Sequence, residues 1–134
     1  MKPRVFRRNL RIEATVALTL ARLAVRLLPA ARIIARADRP PRRPDRFAAA
    51  ETVDAISRAV EEIGAKPWMR ALCLPRALAA QAMLRRRGIA SRLCLGAARD
   101  SEALAAHAWI ELGHEVIVGG GAEQPRFTRL VTFG

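Results

Sequence analysis

Ala106-His107-Ala108-Trp109-Ile110-Glu111-Leu112 alternates with a period of two. Ala106, Ala108, Ile110 and Leu112 face one way, and His107, Trp109 and Glu111 face the other, as in a strand. Gly113-His114 fits a two-residue hairpin turn with glycine first, so Glu115 to Val118 is the return strand. Gly119, Gly120 and Gly121 break it, and Phe127 to Phe133 is a last strand candidate. Upstream, Ile89, Leu93 and Leu95 punctuate a further strand, divided from the first by a polar turn at Arg99 to Glu102. Before Gly88 the period is helical. Ala77 to Arg87 is strongly helix-forming, with Gly88 as its stop signal. From Phe47 to Ile63, Val53, Ile56, Val60 and Ile63 step by three and four. Asp45 is the expected cap of that helix, and Gly64 followed by Pro67 ends it. Helices followed by a small antiparallel sheet make an α+β domain.

The chain has 134 residues, which favours one domain or a small domain with an arm. With 51% hydrophobic residues it can bury a core. Lys and Arg total 24 against 12 Asp and Glu, a net charge of +12. Residues 1–46 hold 13 of those basic groups and 3 acidic ones, so the excess sits at the front. Aromatics are only 4%, and no Gly-rich phosphate loop or zinc finger is present, which argues against specific nucleic-acid recognition. Two cysteines, Cys73 and Cys94, are too few for a disulfide scaffold and suit a reducing cytoplasm.

Asn9 to Leu28 reads as a helix with a clean division of faces. Val16, Leu20, Leu23, Leu27, Ala31 and Ile34 fall on one side, and Arg11, Arg22, Arg26, Arg32 and Arg36 gather opposite. Pro29 predicts a break between Leu28 and Ala30. The longest charge-free run, Ala14 to Ala21, is far short of the roughly 20 residues that span a bilayer. It also lacks the apolar stretch and cleavage site of a secretory signal. Such a helix can dock on the protein's own core, present a surface to a partner, or lie on a membrane surface. Asp38 to Arg46, with three prolines and four arginines, reads as an extended linker. The expected division is therefore a basic amphipathic arm and linker over residues 1–46 and a core domain over 47–134. So small a core is expected to be marginally stable until arm or partner covers it.

Cys73 sits where a helix begins, because Pro75 is tolerated only in a first turn. Free N–H groups and the positive end of the helix dipole stabilise a thiolate there. The same groups can hold an oxyanion. His107 lies on a strand downstream, sharing its face with Trp109. A cysteine at a helix start facing a strand histidine is the layout of papain-like and transglutaminase-like acyl transfer. A buried structural cysteine with an incidental histidine is the competing reading.

Trp68-Met69-Arg70-Ala71-Leu72-Cys73-Leu74-Pro75-Arg76-Ala77-Leu78, then Leu84 to Ile89, Leu95-Gly96-Ala97, Ala106 to Glu111 and Val118-Gly119-Gly120 resemble one family closely. It is the transglutaminase-like protein of lasso-peptide biosynthesis, a stand-alone maturation protease that removes the leader from a ribosomal precursor. The resemblance covers most of the chain, including Leu27-Leu28-Pro29 and the ending Phe127 to Gly134. It implies a transglutaminase-like cysteine peptidase core, with Cys73 as nucleophile and His107 as base. It implies no cofactor. The partners it implies are the precursor peptide, a small leader-recognition protein and a separate ATP-using, asparagine-synthetase-like cyclase that takes the freed core. The basic arm is a sensible docking site for the recognition protein or for an acidic stretch of precursor.

Family members often carry an aspartate about twelve residues after the histidine, where this chain has Gly119. Counting back from the hairpin puts His107 opposite Gly120, a backbone carbonyl with no carboxylate. Glu111 shares the face of His107 but lies about 13 Å along the strand. The third member is a backbone group, water, a loop residue such as Asp100, or absent. Gly119 and Gly120 are possible site-lining residues. Trp68 and Trp109 could roof or shield the site, or simply pack. Arg76 reads as a solvated helix arginine, Cys94 as a strand thiol and His114 as a solvated turn residue. Arg85, Arg86 and Arg87 suit a helix C-terminus. Cys73, Cys94, His107 and His114 lack zinc-site spacing, so no metal is expected. Two alternatives remain: another acyl transfer on the same dyad, or a non-enzymatic basic adaptor on nucleic acid or a membrane surface.

Overall fold

The computed structural model describes residues 3–41, 50–101, 103–121 and 124–134. Helix α1 (Pro3–Leu27) stops ahead of Pro29, and α2 (Ala30–Ala37) starts afresh after it, as the proline requires. Helices α3 (Ala50–Ala65) and α4 (Cys73–Arg86) follow, then β1 (Arg92–Asp100), β2 (Ala103–Leu112), β3 (Glu115–Val118), a single 3-10 turn and β4 (Thr128–Phe133). The strands form one antiparallel sheet in the order β3-β2-β1-β4. The architecture is the expected α+β one. Asp45 and most of the Pro/Arg stretch lie outside the described residues.

One core joins the three long helices to one face of the sheet. Leu10, Ala14 and Leu18 of α1 belong to the same buried cluster as Ile56 and Val60 of α3, Leu84 of α4, and Ala108, Ile110 and Val118 of the sheet. Cys94 and Trp109, paired across β1 and β2, are buried on the opposite face.

The face α1 buries is not the one the pattern of large apolar residues predicts. Val16, Leu20, Leu23 and Leu27 are exposed, Leu20 at 61% and Leu27 at 75%, while Leu10, Ala14, Leu18 and Ala21 are buried. Small residues won this competition because alanines let helix backbones approach closely. α1 packs against both α3 and α4, and two of the four residues it buries, Ala14 and Ala21, are alanines. Glu13 then fastens α1 to α4, accepting hydrogen bonds from Arg87 at 2.7 and 2.9 Å and from Arg86 at 3.2 Å. These arginines therefore tie the end of α4 to α1 as well as complementing its dipole.

The stop at Gly88 is a Schellman motif. The N–H of Ile89 donates to the Leu84 carbonyl and that of Gly88 to Arg85, with Gly88 left-handed at φ +75°. β1 and β2 then pair out to Asp100 and Ala103, so the polar turn is shorter than Arg99 to Glu102.

Candidate active site

The head of α4 carries Cys73 as its first residue. Leu72 is the cap, extended at ψ 176° with no side-chain cap bond, and its carbonyl accepts the first helical hydrogen bond, from Arg76, at 3.2 Å. The N–H groups of Cys73 and Leu74 thus fall among those with no partner inside a helix, and Pro75 has none to lose. Nothing anionic in the first turn competes for the positive end of the dipole.

The loop feeding this helix is fastened at several points. The Ala71 N–H donates to the Gly64 carbonyl at 2.9 Å, and Arg70 turns the chain at φ +43°. Arg76 corrects the expectation of a solvated arginine. Its Nε donates to the Ala71 carbonyl at 2.8 Å, and its guanidinium lies 3.8 Å from Glu61. The side chain passes so close to Gly64 that a Cβ there would meet Nε at 2.8 Å. Arg76 therefore clamps the backbone two residues ahead of the sulfur. Trp68, in the same loop, is 61% exposed.

His107 stands at the middle of β2, half-buried, opposite Gly96 of β1. Its Nε2 lies 2.6 Å from the Gly119 carbonyl oxygen. A carbonyl only accepts, so Nε2 carries the proton and, in the neutral ring, Nδ1 keeps the free lone pair. The orienting group is thus a backbone oxygen in the role an aspartate plays elsewhere. It comes from Gly119 rather than the expected Gly120, although the bulge in the hairpin shifts the register the other way: Gly119 falls beside Trp109, and its oxygen reaches the His107 ring diagonally. Leu112 faces Glu115 as expected, but Ile110 faces Val118, which advances the return strand by one residue. Gly119 is left-handed at φ +81°, and a Cβ would come within 2.8 Å of the Ala108 carbonyl oxygen. Only glycine presents its oxygen to the ring there.

Aromatic rings enclose the imidazole. Trp109 stacks on it with centroids 5.8 Å apart, and Phe127 lies 4.9 Å away. Trp109 is fully buried, its ring lying where a Cβ on Gly96 would sit. Glu111 accepts from the Trp109 indole at 3.0 Å and pairs with Arg92 and Arg129. It serves the tryptophan, not the histidine.

The structure thus gathers His107, Trp109, Gly119 and Phe127 into one cluster, with Gly120 exposed beside it. α4 packs against β2. Among the described residues no hydrogen bond joins the Cys73 thiol to the His107 ring. The Asp100 side chain lies outside the described ones. Cys94 is fully buried, and that burial, then the nearby Glu111 charge, pushes its thiol up, which makes it a poor nucleophile. His114 is exposed in the hairpin turn. Among the described residues no group of acidic, histidine or cysteine side chains could hold a metal, and no helix is long and apolar enough to cross a membrane. Phe127 and the Arg76 clamp went unseen in the sequence. The first depends on a partner remote along the chain, the second on the loop turn that brings the Ala71 carbonyl back to Arg76, although a glycine opposite the histidine hints at room for a ring.

The α+β fold, with a cysteine heading a helix and a carbonyl-held histidine on the sheet, is that of a transglutaminase-like domain. The family model of the transglutaminase-like superfamily matches residues 15–132, and the chain belongs to that superfamily. Its members are typically cysteine-dependent enzymes. No curated protein and no solved structure is significantly similar to the chain.

Proposed function

We propose that the chain is a cytoplasmic cysteine peptidase that removes the leader from a ribosomally made lasso-peptide precursor. The motifs around Cys73 and His107 support the leader-peptidase reading, and superfamily membership supports the chemistry. The observation that carries the mechanism is the 2.6 Å contact between His107 Nε2 and the Gly119 carbonyl, which leaves Nδ1 as the base. For the dyad to act, precursor binding must bring the Cys73 thiol to Nδ1, since the two share no hydrogen bond among the described residues and His107 stands on the sheet face of Trp109 rather than the face the helices cover.

The Cys73 proton passes to Nδ1 as the sulfur attacks the carbonyl carbon at the leader–core junction. The N–H groups at the head of α4 stabilise the oxyanion. The C–N bond then breaks, and the amine of the core leaves with the proton from Nδ1. Water, deprotonated by Nδ1, attacks the thioester and frees the leader acid, and the proton returns to sulfur. A small leader-recognition protein presents the precursor, and an asparagine-synthetase-like cyclase takes the product.

Incubation of the chain with precursor and recognition protein should release a leader whose mass includes one added water. Cys73→Ala should abolish release, and retained cleavage would end the proposal. A product mass carrying an amine in place of water would instead show acyl transfer on the same dyad.

A further inference from the structure

A second feature of the molecule owes nothing to the sulfur or the imidazole. An open groove of about 870 Å³ runs between α1, α2 and α4, lined by neither Cys73 nor His107. It exists because α2 is tied down at its C-terminal end. The Ala37 carbonyl accepts from Gln81 at 3.0 Å and from Arg85 at 3.2 Å, and the Asp38 carboxylate accepts from the Gly134 N–H at 3.0 Å. The front of α2 stands clear of α4, with apolar side chains between them. Val16, Leu20, Ile33, Leu78 and Met83 are among the lining residues.

Cations border this apolar strip. Arg32, Arg36, Arg85 and Arg86 line it, and among the described residues no carboxylate pairs with Arg32, Arg36 or Arg85. The acid on the wall, Glu13, is already bound by Arg86 and Arg87. Burial, and then repulsion from Arg36 and Arg39, pulls the Arg85 guanidinium below its ordinary range, so positive charge is crowded there.

Three properties identify the occupant. The apolar floor offers few backbone partners, since helix backbones satisfy themselves, and an extended peptide would leave its own polar groups unpaired against it. A helix brings its hydrogen bonds with it and fills a groove with every third or fourth side chain. The rim requires negative charge beside that apolar face. A second copy of this chain, at +12, would bring charge of the wrong sign. A bilayer is flat and does not fill a concavity.

We propose that the groove between α1, α2 and α4 docks an acidic amphipathic α-helix of another protein. The proposal involves no catalytic step, so its failure and that of the peptidase reading are separately visible. The probe is a fluorescein-labelled helical peptide of about five turns, with leucines on one face and glutamates flanking them. Fluorescence anisotropy with the full chain should show saturable binding that weakens as salt is raised. The Arg32→Glu/Arg36→Glu double variant and Leu20→Asp should each weaken it by about tenfold or more, a loss of about 1.4 kcal/mol per tenfold. All these residues are exposed, so the variants should keep the wild-type melting temperature. A peptide with lysines replacing the glutamates should not bind. The proposal is overturned if the acidic peptide does not bind, or if both variants bind it as wild type does. It is equally overturned if phosphatidylglycerol vesicles are bound through these residues and the peptide is not.

Discussion

Helix α1 carries two apolar stripes that met different fates. The inner one, Leu10, Ala14, Leu18 and Ala21, is buried, while the outer one, Ile12, Val16, Leu20, Leu23 and Leu27, is exposed. By hydrophobicity the outer stripe is the stronger, and it is the one a periodicity argument selects. By shape the inner one is the better seam, because two of its four residues are alanines, which let α1 come close to α3 and α4. Close packing between helices selects for fit as well as for apolarity. What is left over, a larger and stickier face beside an arginine wall, is the surface a partner would use.

That contrast can be broken by experiment. Leu18→Asp would bury an unpaired charge and should cost about 4 kcal/mol or more, whereas Leu20→Asp should stay within about 0.5 kcal/mol of wild type in urea titrations. Equal costs would mean the two faces are wrongly assigned. Ala14→Leu should overpack the seam by about 1–3 kcal/mol, and Val16→Leu should be nearly neutral. The fastening is the smallest effect. Glu13→Gln should cost about 1.5 kcal/mol by weakening the bonds from Arg87 and Arg86. The Arg87 hydrogen bond, opposed by partial burial, holds the Glu13 carboxyl below its ordinary range. Its contribution is therefore complete above that range and is lost as pH falls through the lowered folded value. Thermal melts should show wild type approaching Glu13→Gln in acid, and a constant gap would contradict the assignment.

Much of this was legible in the sequence. The period change at Gly88, the Pro29 break, the Gly113-His114 turn and the Leu112 to Glu115 pairing are local signals, and the structure has all four. The bulge before Gly119 was not legible, because nothing in Glu115-Val116-Ile117-Val118 marks an extra residue. It sets Gly119 beside Trp109, and the carbonyl that meets His107 reaches across diagonally from there, with the chemistry unchanged. The head of α4 begins at Cys73, earlier than the Ala77 that propensity suggests, since Pro75 is welcome in a first turn. The Arg76 clamp was not legible because it needs the loop turn that brings the Ala71 carbonyl to Nε and the packing of α3 that brings Gly64 and Glu61 alongside. The inner face of α1 was missed because it too depends on helix packing.

The most direct test of the carbonyl-held imidazole serving the Cys73 sulfur needs no precursor. Iodoacetamide labelling of the full chain, followed by peptide mass spectrometry, reads the reactivity of each cysteine. Cys73 should label much faster than buried Cys94, and His107→Ala should slow Cys73 by about tenfold or more. Unchanged labelling of Cys73 in His107→Ala would contradict it.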